Sequence, residues 1–196
     1  MRRDTERKQH TRRRVLKVAA RAIRAEGPHR IAVARVMRGA GLTHGGFYAH
    51  FTSKADLVAQ AIDVMFDEAI ANMSAEAAGR PPRAALLAIV DRYLSIAQRD
   101  ATETGCPIPK LASDVPRLPS AARRAFARGV ERFEALIAAP LRALNLADAD
   151  GVASIVLAEM VGALTLARAS GGIRSKRLLA TARAHIVTRF ELAGAS

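Results

Sequence analysis

The sequence predicts an all-α fold. Three observations carry this expectation. Apolar residues recur at helical spacing along most of the chain, no segment alternates in the β-branched manner of a strand, and Gly and Pro gather at a few breaks. Half of the 196 residues are hydrophobic and only 4% are aromatic, which suits helices packed through Ala, Leu and Val.

Residues 1–10 are polar and read as an arm outside the fold. A first helix is expected over Thr11–Glu26. Val15, Val18, Ala19, Ala22 and Ile23 form its apolar stripe, Arg12, Arg13, Lys17, Arg21 and Arg24 surround it, and Gly27-Pro28 ends it. A short second helix is expected over Val33–Ala40. Gly41 supplies a turn, where a residue without Cβ takes positive φ cheaply. Another very short helix follows, with Leu42, Phe47 and Phe51 as its core anchors. Ser53, with Asp56 three residues on, resembles a capping box and opens a helix to about Met73.

Ala78–Pro82 is a break, and Pro suits the first turn of the next helix, Arg83–Gln98, with Leu86, Val90, Tyr93 and Ala97 on one face. Residues 99–119 are broken by Gly105, Pro107, Pro109, Pro116 and Pro119 and leave room for one short helix near Lys110–Asp114. A seventh helix starts at Ser120 with Phe126, Val130, Phe133 and Ile137 inward, and Pro140 should kink or end it. Helices eight (148–169) and nine (175–193) flank Ser170-Gly171-Gly172.

The net charge of +13 is unevenly spread. Residues 1–60 hold 14 of the 31 basic and 4 of the 18 acidic residues, 14 − 4 = +10, and the remainder carries 17 − 14 = +3. Such a positive end attracts a polyanion. A single cysteine, Cys106, excludes an intramolecular disulfide and fits a cytoplasmic location. No secretory signal is visible, and the apolar run 151–167 is short for a membrane span and contains Glu159. No metal-ligating, phosphate-loop or nucleophile motif occurs, so neither cofactor nor metal is expected.

A helix, a glycine turn and a second short helix make the helix-turn-helix pattern, about 32–51 here, whose second helix enters the major groove of DNA. From about Gln9 to Ala69 the chain resembles the TetR family of bacterial transcriptional regulators. The strongest part is Ala40-Gly41-Leu42-Thr43-His44-Gly45-Gly46-Phe47-Tyr48-Ala49-His50-Phe51, followed by Ser53-Lys54 and Leu57. The resemblance implies a three-helix DNA-binding domain over 9–69 and a helical effector-binding and dimerisation domain over 70–196. Thr43, His44, Gly45 and Gly46 would face bases. Tyr48 and Lys54 would hold phosphates, with His50 beside them and Arg12, Arg30 and Arg35 as further phosphate contacts. One departure stands out: Ile31-Ala32 occupies the place where the family usually has a capping Thr or Ser.

The same resemblance implies a homodimer formed through helices eight and nine, a near-palindromic double-stranded DNA operator and a small-molecule effector. Tyr93, Phe126, Phe133 and Glu159 are the candidate pocket residues, and Cys106 is a candidate sensor thiol. The expected function is a repressor released by its effector. One alternative is an oxidant- or electrophile-sensing repressor acting through Cys106. The other is a helical enzyme or scaffold with a basic terminus, which the missing catalytic motifs disfavour.

Overall fold

The structure, a computed structural model, describes residues 2–192. Among them there is no strand, and the α-helices in chain order are α1 (Arg2–Glu26), α2 (Val33–Gly39), α3 (Lys54–Ala77), α4 (Pro82–Tyr93), α5 (Ile96–Asp100), α6 (Ile108–Leu111), α7 (Ser120–Ala143), α8 (Ala149–Ser170) and α9 (Gly172–Arg189). Two 3-10 turns, His44–Ala49 and Val115–Arg117, join them. The chain forms two compact units. One runs up to Asp67 and includes Lys110–Gly129; the other is Glu68–Pro109 with the chain from Val130 onward. This differs from the sequential pair 9–69 and 70–196, because the apolar face of Leu111, Leu118, Ala122 and Ala125 is buried with the N-terminal helices.

In the first unit, α1 begins nine residues earlier than expected. Arg, Glu, Lys and Gln are strong helix formers, and nothing between Arg2 and Thr11 is a breaker, so the helix extends through the expected arm. Its end matches the expectation, with Gly27 at φ +88°. Arg24 was expected on the solvent side but is 1% exposed. It lies at the edge of the stripe beside Ala20 and Ile23, and its guanidinium donates to the Met65 carbonyl at 3.0 Å. A buried cation needs such a partner. Lys110 closes the arrangement by donating to the Arg24 carbonyl at 2.6 Å.

At the start of α3 the Ser53 hydroxyl accepts the Asp56 N–H at 3.1 Å. The Asp56 carboxylate reaches back to the Thr52 N–H (3.0 Å) and hydroxyl (3.2 Å), so the box closes one residue earlier than its usual form. Phe66 fills the far side of this core, edge-on to Phe126 at 5.6 Å. A Cβ on Gly129 would come within 2.2 Å of the Phe66 ring, so glycine there is a packing requirement.

In the second unit the expected helix 83–98 divides. The Ser95 hydroxyl accepts the Gln98 N–H at 3.0 Å and donates to the Arg92 carbonyl at 2.9 Å, which ends α4 and caps α5. As a result Ala97 is exposed and Gln98 is buried. α6 starts two residues before the expected segment and ends at Leu111. α7 continues past Pro140 to Ala143. The proline falls in the last turn, where it removes a single helical bond, and Ala138 and Leu141 beside it are fully buried. Asp148, at φ 52°, caps α8 by accepting the Gly151 N–H at 3.2 Å. α8 is long and apolar enough to cross a membrane, but its inner face (Val156, Met160, Leu164, Ala167) packs in the helical core, chiefly against α9. α9 starts three residues earlier than expected, and its expected last residue, Ala193, lies outside the described residues.

Candidate nucleic-acid interface

Gly41 sits at φ +67° after Ala40 caps α2, and the Leu42 N–H bonds back to the Met37 carbonyl at 2.9 Å. Thr43 is extended, and residues 44–49 coil as a 3-10 turn rather than an α-helix. Phe47 pins this turn: it is 2% exposed, stacks on Phe51 at 5.6 Å and meets Tyr48 edge-on at 5.1 Å. With the anchor fixed, Thr43, His44 and Gly45 are exposed and Tyr48 is 75% exposed. Leu42, expected as a full core plug, is half-buried.

The two glycines of the turn have no internal reason to be glycine. A Cβ at Gly45 would meet nothing within 4 Å, and one at Gly46 only Met37 Cε at 3.8 Å and Thr43 Oγ1 at 4.0 Å. Neither has positive φ. Gly129, by contrast, is dictated by the fold. The bare backbone at 45–46 is available to something outside the protomer.

Around this turn the cations divide by role. Lys54 is exposed at the start of α3, its Nζ 3.3 Å from the His29 carbonyl. Arg30 is exposed, and Arg35 is paired with Glu26 while still half-exposed. Arg12 is half-buried and engaged within the protein: it donates to Gln60 Oε1 at 2.5 Å and lies over the Phe51 ring at 5.3 Å. Its guanidinium braces α1 against α3 instead of standing free for a phosphate. At the start of α2, Ala32 makes no side-chain cap bond and Ile31 is buried, so the hydroxyl missing from the sequence has no substitute there.

His50 is half-buried at the end of the turn, and its Nδ1 has no hydrogen-bond partner. Burial, then the positive charges of Lys8 and Arg12, push its pKa below the ordinary imidazole value. The ring lines a cleft of about 340 Å³ with Arg7, Lys8, Thr11 and Ala49. The α1 residues of this cleft fall within or next to the segment expected to be an arm, which is why sequence reasoning missed the grouping.

The candidate effector residues are not brought together. Tyr93 and Phe133 are fully buried and meet edge-on at 5.8 Å in the second unit, whereas Phe126 belongs to the first. Cys106 is 2% exposed and lies against the Tyr93 hydroxyl. Burial, and then the neighbouring thiol, raise the Tyr93 phenol well above its ordinary range. Arg168 lies close to the same group and donates to the Arg99 and Gln98 carbonyls, both at 3.0 Å. Glu159 is half-buried on α8, where His185 Nδ1 approaches it at 2.6 Å and Arg189 at 3.8 Å. No group of three His, Cys, Asp or Glu suited to a metal occurs among the described residues.

The family model of bacterial regulatory proteins of the tetR family matches residues 15–61, and the tetracyclin repressor-like C-terminal domain matches residues 82–186. The chain belongs to the TetR family. Among solved structures it is similar to a TetR transcriptional regulator from Chloroflexus aurantiacus, with 26% identity and a TM-score of 0.81 over 95% of this chain and 96% of that one. It is also similar in fold to the reduced form of E. coli NemR (22% identity, TM-score 0.80, 91% and 97% covered). A TetR-family regulator from Agrobacterium tumefaciens gives 24% identity and a TM-score of 0.76 over 93% and 98%. Comparison with curated proteins gave no match. This TetR-family protein is a DNA-binding transcriptional regulator, and its helix-turn-helix comprises α2, the Gly41 turn and the 44–49 segment.

Proposed function

We propose that this TetR-family regulator is a cytoplasmic, non-enzymatic repressor that binds a near-palindromic operator as a homodimer and leaves it when a small molecule binds. The observation that carries the DNA assignment is the bare backbone at Gly45–Gly46, flanked by outward Thr43, His44 and Tyr48. Glycines that the fold does not require suit close approach to base edges, while Tyr48 and Lys54 suit the phosphates on either side.

Support for the homodimer comes from α8. Val152, Ile155, Glu159, Gly162 and Leu166 repeat at steps of three and four residues along one side of α8, with Ile155 and Leu166 exposed and the others half-buried. Ile155 is 59% and Leu166 56% exposed, and a Cβ at Gly162 would meet nothing within 4 Å. Ile173, at the start of α9, is 79% exposed. Apolar side chains in register with an unfilled glycine suit a partner helix. In the repressor cycle the effector favours a dimer state whose two recognition turns no longer match successive major grooves. Footprinting on the promoter beside the gene, with and without candidate effectors, tests this reading. Failure of the dimer to protect any site there would overturn it.

A second reading makes Cys106 a sensor thiol, and it is favoured by its polar neighbours Tyr93 and Arg168. Cys106→Ser should then keep DNA binding and lose its sensitivity to oxidant or electrophile. Unchanged release in the variant would reject the thiol role.

A further inference from the structure

We propose that the cleft between the start of α1 and the end of the 44–49 turn binds one backbone phosphate of duplex DNA through Arg7, Lys8, Thr11 and His50. The proposal rests on the DNA-binding reading and adds a contact on a face of α1 that the helix-turn-helix itself does not supply.

Three observations converge on an anion. The cleft of about 340 Å³ is lined by two cations, a hydroxyl and an imidazole, with no carboxylate among its lining residues. Arg7, Lys8 and Thr11 share one face of α1, because steps of three and four residues bring side chains together on a helix. His50 lines the cleft, and its Nδ1 is buried with no protein partner. The charges acting on the imidazole are Lys8 and Arg12, both from α1; Asp56 of α3 acts on Arg12 and is hydrogen-bonded to Thr52 and Gln60. Positive groups gathered around a partnerless ring nitrogen form an incomplete arrangement that a phosphate oxygen completes. The duplex is favoured as the source because His50 is two residues from exposed Tyr48, on the segment that reads DNA.

The arrangement also couples binding to protons. In the free protein, burial and the two cations disfavour the charged imidazole. A phosphate in the cleft reverses that balance and raises the His50 pKa, so binding takes up a proton. Affinity then increases as pH falls and is lost as pH rises through the pKa of the bound state. One proton limits the effect to about tenfold per pH unit.

Fluorescence anisotropy with a labelled mixed-sequence duplex, in salt and pH series, tests the site. Arg7→Gln and Lys8→Gln keep helix propensity and should each lower the slope of log affinity on log salt by about one. His50→Gln should flatten the pH profile. Wild-type salt slopes in both cation variants, or an unchanged pH profile in H50Q, would overturn the proposal. Inorganic phosphate that moves the His50 ring resonance as far as the duplex does would make the cleft a free-anion site and overturn the DNA source. If Y48F and K54A weaken binding while the cleft variants are silent, the cleft alone is rejected. If the wild type binds no duplex at low salt, the DNA-binding reading falls with it.

Discussion

The 44–49 turn and the Cys106 neighbourhood are two small groups of polar side chains built in opposite ways. Around the turn, chemistry is local: a buried Phe47 anchors one short segment whose other side chains mostly point out. Around Cys106, chemistry is assembled from three distant places in the chain, Tyr93 on α4, Cys106 before α6 and Arg168 on α8, and the thiol and phenol point in. The first group is open to solvent. The second is sealed, so any molecule that reaches it must open the core.

The contrast breaks most sharply at the anchors. Phe47→Ala should destabilise the first unit by about 3–5 kcal/mol and abolish DNA binding. Phe133→Ala should cost a similar amount of stability by calorimetry, yet leave the turn's geometry, read by NMR, unchanged in the folded fraction. A second comparison uses two glycines. Gly129→Ala forces a methyl into the Phe66 ring and should cost about 1–3 kcal/mol, whereas Gly162→Ala should leave protomer stability within about 0.5 kcal/mol. If both behave alike in urea titration, the packing distinction between them is wrong.

Smaller effects sharpen the outward faces. Ile155→Asp with Leu166→Asp should shift the particle toward monomer by light scattering without lowering helicity, and operator affinity should fall with it. Tyr48→Phe and Lys54→Ala should weaken binding about equally on all sequences, with a smaller salt slope for the lysine variant, whereas Thr43 and His44 variants should change sequence preference. The smallest effect is at Asp56. Burial raises its pKa, but the Thr52 N–H, Gln60, the Thr52 hydroxyl and Arg12 outweigh that and hold it below the ordinary carboxylate value. A depressed carboxylate contributes stability above its unfolded pKa and loses it as pH falls through the folded one. Asp56→Asn should therefore lower stability at neutral pH by about 0.5–1 kcal/mol and make no difference in strong acid.

Much of this was legible in the sequence because its determinants are short-range. Gly27 and Gly41 stop helices by their own backbone freedom, and Ser53 caps α3 within three residues. The outward residues of the turn follow from one anchor and a fixed period. What stayed hidden depends on partners far away in the chain. Arg24 looks like any basic surface residue until Met65 offers its carbonyl, forty-one positions on. Arg12 reads as a phosphate ligand until Gln60 and Phe51 hold it. The division of the helix at Ser95 depends on a hydroxyl choosing a local bond over solvent, a competition that hydrophobic periodicity does not register. Ile155 and Leu166 are exposed on α8 while Val156 and Leu164 are buried, a difference the sequence does not register, because an apolar residue facing outward and one facing the core are the same letter.

The inclusion of Lys110–Gly129 in the first unit bears on how such regulators diversify. A gene exchange that transplants the N-terminal reading head alone would strand Phe66 without Gly129 and Phe126, and Arg24 without Lys110. The head is therefore not a free cassette, since its packing depends on the Lys110–Gly129 stretch encoded further downstream. Thr43 and His44 are exposed, so single codon changes there leave this packing intact, whereas shuffling of whole modules does not.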